Sequence, residues 1–269
     1  MRTVALAAVL VVFLAVPVSA DWVKLEDFEG DLSNWNGGLG NLNGGIGADP
    51  DDYTNSVLFS GTSPSPDTNF YLALGDDNIA TGAIGTLFGR MRTNDTMETL
   101  NGHFGVSASS SPTAWGDFSA YITADDRGSA YPGAWRVRDG TAYEDTDQQP
   151  DNQTWVNFWI VVDNPKDYYH VYYTTTYGES ADSGDQMTHS GTVDNFIFRG
   201  GTGAKAMQTL LVRAAASNAK GWYLDDLYID SSSQNLSNPV AGIPEPGTML
   251  LVGTGVLGVL GYVRRRRMS

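Results

Sequence analysis

Hydrophobic and polar positions alternate with a period close to two through most of the chain, and no stretch of a dozen residues holds a helical stripe. The clearest run is 155–163. Val156, Phe158, Ile160 and Val162 share one face, while Trp155, Trp159 and Val161 occupy the other, which predicts a strand covered on both sides. Asn164, Pro165, Lys166 and Asp167 supply a turn, and 168–174 reads as the returning strand of a hairpin. Further strands are predicted at 22–28, 69–74, 102–107, 118–123, 134–138, 195–199, 208–214 and 222–230, separated by Gly, Asn, Asp, Ser and Pro clusters. Many short strands at loop spacing imply an all-β domain, a single antiparallel β-sandwich or jelly roll made of two stacked sheets.

Both ends of the chain are apolar. Residues 1–20 have Arg2 as their only charge, an uncharged run from Val4 to Val16, and Val18, Ser19 and Ala20 before Asp21. That pattern is a signal peptide cleaved after Ala20. At the other end nothing charged lies between Glu245 and Arg264, leaving about eighteen residues, enough for a helix at 1.5 Å rise to cross a thin bilayer. Arg264, Arg265, Arg266 and Arg267 follow directly as a cytoplasmic flank. Residues 231–242 are rich in Ser, Asn and Pro and read as a linker with few groups able to pack. The expected organisation is therefore a signal peptide over 1–20, a β-sandwich over 21–230, the linker over 231–242, and a tail over 243–269 containing a transmembrane helix.

Charge narrows the partners. Removing Arg2 and the tail arginines leaves 11 of the 16 basic residues, and removing Glu245 leaves 30 of the 31 acidic ones, a net charge of −19 for the exported part. Binding to nucleic acid or an anionic lipid surface by charge relies on Lys and Arg, so neither is expected of this domain. Solubility by repulsion, or retention of divalent cations, fits better. With no cysteine, the chain has no disulfide, thiol nucleophile or thiolate metal site.

Pro244, Glu245 and Pro246, the Gly, Leu and Val rich span after them and the arginine cluster stand in that order at the C-terminus. Together they resemble the PEP-CTERM sorting signal. The resemblance implies recognition in the inner membrane of Gram-negative bacteria by an exosortase, a membrane protease-transpeptidase that processes the tail near the Pro-Glu-Pro. It further implies passage through the secretion machinery, transient residence in the membrane through the C-terminal helix, and delivery to the cell surface or an extracellular matrix, commonly alongside extracellular polysaccharide.

Leu25 to Gly30 near the mature start, the 155–163 hairpin and the closing run Trp222 to Asp230 resemble a concanavalin A-like (laminin G-like) jelly roll. That fold implies adjacent first and last strands. The last one poses a problem. Strict alternation puts Tyr223, Asp225, Leu227 and Ile229 on one face and Trp222, Leu224, Asp226, Tyr228 and Asp230 on the other, so burying either face buries an aspartate, which is costly without a partner. The resemblance to laminarinase-like relatives implies one partner, a structural calcium between Glu29 and Asp225. The other is a set of backbone amides or an arginine at the strand end. Gly37 to Asp52 reads as a flexible surface loop or a cation-binding loop.

Catalytic signatures are scarce. Laminarinase-type hydrolases carry Glu-x-Asp-x-x-Glu on one strand so that acid and nucleophile face the sugar together. Glu26, Asp27, Phe28 and Glu29 have a different spacing, and His103, His170 and His189 are dispersed. A lyase would need only a Tyr or Lys base placed by the fold. Binding has better candidates: Trp115, Tyr131, Trp135 and Tyr143 lie in or beside polar loops, where aromatic faces stack on sugar rings. The reading is a non-enzymatic, exported surface or matrix protein associated with extracellular polysaccharide. A glycan-cleaving hydrolase or lyase and a matrix protein without a specific ligand are the alternatives.

Overall fold

A computed structural model describes residues 22–38, 44–51, 56–60, 68–94, 101–124, 134–149, 151–189, 195–200, 205–215 and 221–241. Ala20, Tyr131 and the tail with Pro244, Glu245, Pro246 and Arg264 to Arg267 lie outside the described residues, as does the expected transmembrane helix. Among the described residues no helix is long and apolar enough to cross a membrane.

The strands are β1 (Val23–Glu26), β2 (Trp35–Gly37), β3 (Gly45–Ala48), β4 (Ser56–Ser60), β5 (Thr68–Ala73), β6 (Ile84–Thr93), β7 (Gly102–Ser107), β8 (Phe118–Ala124), β9 (Arg136–Asp139), β10 (Ala142–Asp145), β11 (Val156–Asp163), β12 (Tyr168–Thr174), β13 (Phe196–Ile197), β14 (Thr209–Ala214) and β15 (Trp222–Asp230). They form two antiparallel sheets, one ordered β13-β12-β11-β6-β15-β4-β3 with β1 also on β15, the other β10-β9-β8-β7-β14-β5-β2. β1 pairs with β15, so first and last strands are adjacent, as the jelly-roll resemblance implied.

β11 shows why the alternation was informative. Val156, Phe158, Ile160 and Val162 all point into the core between the sheets. On the other face Trp159 and Val161 join Phe88, Tyr172 and Ala181 in a second, smaller cluster, so the strand is covered on both sides. The hairpin turns over Asn164–Lys166, with Asp167 in a left-handed conformation (φ 57°), and pairs Asp163 with Tyr168.

β6, the neighbour of both β11 and β15, escaped the sequence pattern. Its Ile-Gly-Thr-Leu-Phe-Gly-Arg-Met-Arg-Thr breaks alternation with two glycines and two arginines. Packing demands at least one of them: a Cβ on Gly89 would lie 2.5 Å from Phe104 Cζ and 2.9 Å from Leu227 Cδ2. The glycine-rich segment also departs from expectation, since Gly45–Ala48 is edge strand β3, paired with β4.

β15 resolves the aspartate problem by breaking the alternation. Against β6, Asp225 pairs with Arg90 and Tyr228 with Phe88, so Asp226 and Leu227 together oppose Gly89. This bulge, with Asp226 at φ 53°, lets Trp222, Leu224, Leu227 and Ile229 all face the main core. Both aspartates are thereby released from the core face, and the two-face assignment made from strict period two is corrected.

The segment expected to be a linker instead continues the domain as a strap. Residues through Pro239 belong to one compact unit, and a second begins at Val240. The Asp230 carboxylate accepts from the backbone and hydroxyl of Ser232 at 3.0 and 2.9 Å, from those of Ser233 at 3.1 and 2.7 Å, and from Asn235 Nδ2 at 3.1 Å. Trp159 Nε1 donates to the Ser237 carbonyl at 3.0 Å, and Leu236 packs on the Phe88 and Trp159 cluster. Polar side chains fix this strap where apolar ones are too few.

Candidate functional site

The outer face of the seven-stranded sheet is built by residues whose neighbours fill the core. In β9, Val137 points inward, leaving Arg136 and Arg138 on the outside. β10 sets Tyr143 opposite Arg138 and Asp145 opposite Arg136. The register becomes chemistry: the Arg138 guanidinium lies 4.3 Å from the Tyr143 ring centre, and Arg136 Nε is 2.8 Å from Asp145 Oδ1. Along β7 and β14, His103 and Arg213 are also opposed, with 3.4 Å between Nε2 and Nη1.

Trp115 reaches the same face from the connection between β7 and β8. A single turn, Trp115–Asp117, is held because the Asp117 carboxylate accepts from the Thr113 and Ala114 amides at 2.8 and 2.9 Å. The indole lies parallel to the Tyr143 ring (10°), 6.3 Å between centres. Arg199, just past β13, stacks on the indole at 3.4 Å and donates to the Trp115 carbonyl. Arg138 and Arg213 lie 5.4 and 5.9 Å from the same ring. Beneath them Phe118, Tyr121 and Leu211 form an apolar floor against which Tyr143 packs.

Electrostatics follow from this crowding. Burial, reinforced by the charge of Arg138, holds the Arg199 guanidinium below its ordinary value. Burial, then the phenols of Tyr143 and Tyr169, pushes the Tyr121 phenol far up. A cavity of about 310 Å³ opens beside this group, lined among others by Ser109, Gly116, Asp117, Arg199 and Lys205.

The other candidates fall elsewhere. Trp135 is a core residue, 2 % exposed and edge-on to Phe158 at 4.7 Å, because the chain entering β9 turns it between the sheets; it offers no face to a ligand. Of the four aromatic candidates, Trp115 and Tyr143 are brought together. Sequence reasoning missed the arginines around them, although Arg136-Val137-Arg138 flanks an apolar residue with two outward charges.

Asp225 has Arg90 as its counterpart. Arg90 Nη1 lies 3.9 Å from Asp225 Oδ2 and 2.8 Å from Asp226 Oδ2, and its guanidinium sits over the rings of Trp155 (4.7 Å) and Tyr177 (4.9 Å). Burial, then the neighbouring Asp226 charge, pushes the Asp225 carboxyl up to about 9, with Arg90 opposing. The Arg90 guanidinium occupies the charged side of Asp225 where a cation would sit, and Glu29 is exposed in the turn after β1. The donor set does not fit the expected ion. Among the described residues no three acidic or histidine side chains group as a metal site. Arg90, Trp155, Asn157 and Tyr177 line a second cavity, also about 310 Å³, on the outer face of the other sheet.

Residues 242–267 match the PEP-CTERM protein-sorting motif. A search of curated proteins finds no match. Among solved structures the chain is similar to a sialidase, with TM-score 0.52 and 10 % identity over 79 % of this chain and 18 % of that one. It is also similar to the catalytic domain of the glycoside hydrolase family 131 protein from Coprinopsis cinerea, with TM-score 0.47, 14 % identity, and 82 % and 87 % of the two chains covered. A third likeness is to the receptor binding domain of botulinum neurotoxin C/D mosaic serotype, with TM-score 0.42, 14 % identity, and 71 % and 42 % covered. At such identities the likeness extends to the fold alone.

Proposed function

We propose that this protein is exported, processed by an exosortase through its C-terminal motif, and placed at the cell surface or in an extracellular matrix, where its β-sandwich associates with polysaccharide without cleaving it. The sorting half rests on the motif over 242–267. The binding half rests on one observation, the parallel pair of half-buried Trp115 and Tyr143 on the outer sheet face, with Arg199 on the Trp115 ring lining an adjoining cavity of about 310 Å³. Aromatic rings with a few convergent polar groups are the usual chemistry of sugar recognition. The carboxylates near this pair are engaged, Asp145 with Arg136 and Asp117 with backbone amides, which favours binding over acid–base cleavage.

One observation favours the alternative, a glycan-cleaving enzyme. Asp225 and Asp226 are adjacent carboxyls with different environments, which is what acid–base catalysis requires. Asp225, however, is not among the residues that line the nearby cavity.

A glycan array probed with the full-length protein in detergent separates these readings. Saturable binding without released oligosaccharide supports the proposal, and release of oligosaccharide overturns it. Silence on every glycan favours a matrix protein with no specific ligand. Trp115→Ala is expected to weaken binding roughly tenfold, the worth of one aromatic contact.

A further inference from the structure

The exported part carries few positive charges, 11 Lys and Arg against 30 Asp and Glu. Four of those 11 are gathered around two rings: Arg136, Arg138, Arg199 and Arg213 lie between 3.4 and 5.9 Å from the centres of Trp115 or Tyr143. Stacking accounts for each contact singly, yet bringing four guanidiniums together costs repulsion that stacking does not remove. Arg136 has Asp145 as a counter-charge. For Arg138 and Arg199 no ion pair with a carboxylate occurs among the described residues.

Arg138 is the telling case. The residue is 9 % exposed, and its Nε–H has no hydrogen-bond partner. A buried charged donor left unmatched is expensive. Arg199 occupies one π-face of Trp115, so this face offers guanidinium N–H groups as well as aromatic carbon. Arg199 also lines the adjoining cavity, with Lys205. A planar or tetrahedral oxyanion presenting two oxygens matches a guanidinium fork and neutralises the crowded charge, whereas a neutral sugar does neither.

We infer that the ligand of this face is an anionic polysaccharide, one carrying carboxylate or sulfate groups that the guanidiniums of Arg138 and Arg199 engage. The inference rests on the glycan-binding reading above and adds the substituent that binding selects. The acidic remainder of the protein then acts as an orienting field, repelling a polyanion everywhere except at this patch.

The test uses the full-length protein in detergent and matched polymers on a biosensor: polygalacturonate and its carboxyl-reduced form, a sulfated galactan and its desulfated form. The charged member of at least one pair is expected to bind about tenfold tighter or more at low salt, with the margin shrinking as salt rises. The pair that shows the margin identifies carboxylate or sulfate as the group read. Arg199→Gln is expected to narrow the margin between the charged and uncharged members of that pair. If that variant misfolds by circular dichroism, the wild-type comparison still decides. Equal or tighter binding of the uncharged members overturns this inference and leaves the glycan-binding reading standing. Binding to none of the polymers overturns both.

Discussion

Asp226 accepts a hydrogen bond from Arg90 at 2.8 Å while its backbone sits at φ 53°, so one residue supplies both the bulge of β15 and the charge that holds a buried guanidinium. Without the bulge, Leu227 and Ile229 would leave the core face; without the carboxylate, Arg90 would lose its closest counter-charge.

The two roles can be separated by substitution. Asp226→Ala removes the carboxylate and places a residue ill suited to the left-handed region there, and is expected to cost about 3 kcal/mol, the scale for breaking a buried ion pair. Asp226→Asn keeps an acceptor and tolerates the backbone, and is expected to cost less than half as much. Denaturant unfolding of the three proteins gives the order; equal losses for both variants would show that the carboxylate charge alone matters.

Asp225 makes a prediction in pH. Burial, then the neighbouring Asp226 charge, keeps the Asp225 carboxyl protonated in the folded protein up to about 9, with Arg90 opposing. Its ordinary value is 3.8, so the unfolded chain releases this proton first as pH rises. The stabilisation is therefore complete below the ordinary value and is eroded as pH climbs from there towards about 9. Asp225→Asn cannot ionise and is expected to flatten this decline. Thermal melts between pH 5 and pH 8.5, taken at intervals of about one unit, check it, and parallel curves for variant and wild type contradict it.

The strap titrates in the opposite sense. Burial opposes ionisation of Asp230, but hydrogen bonds from Ser233, Ser232 and Asn235 hold its carboxyl below the ordinary range. Its contribution is present above the ordinary value, 3.8, and is lost as pH falls through the lower folded value. Asp230→Ala is expected to cost roughly 2 kcal/mol through lost charge-assisted bonds. It should also raise amide exchange across 232–238 at neutral pH, while wild type reaches comparable exchange only in acid. Unchanged exchange in the variant would mean that Trp159 and Leu236 hold the strap without Asp230.

How much of this was legible depended on where the physical signal lay. β11 and β12 could be read because both faces are apolar and the turn chemistry is local, at Asn164 to Asp167. β6 could not, because Gly89 is dictated by Phe104 and Leu227, residues distant in sequence. The bulge at Asp226 is set by pairing with Gly89 and Arg90, again a long-range fact. Trp115 and Tyr143 were recognisable as loop-associated aromatics, but the four guanidiniums around them come from three places in the chain and converge only in the folded sheet. The strap was misread because a Ser and Asn rich run looks the same whether its side chains bond to water or to Asp230.

The strap also bears on processing. One compact unit ends at Pro239, and Pro244 follows five residues later in the sequence. Those residues span at most about 18 Å when fully extended, and the enzyme is expected to recognise the short motif by its own chemistry. Glu245 is the only charge between Asp230 and Arg264. Glu245→Ala, expressed in a host carrying an exosortase, is expected to abolish tail removal, leaving the full-length species in the membrane fraction by mass spectrometry. Asp230→Ala, which frees the strap without touching the motif, is expected to leave processing intact or faster. Normal removal of the tail in Glu245→Ala would count against recognition of the motif, and loss of processing in Asp230→Ala would show that the enzyme reads the folded strap as well.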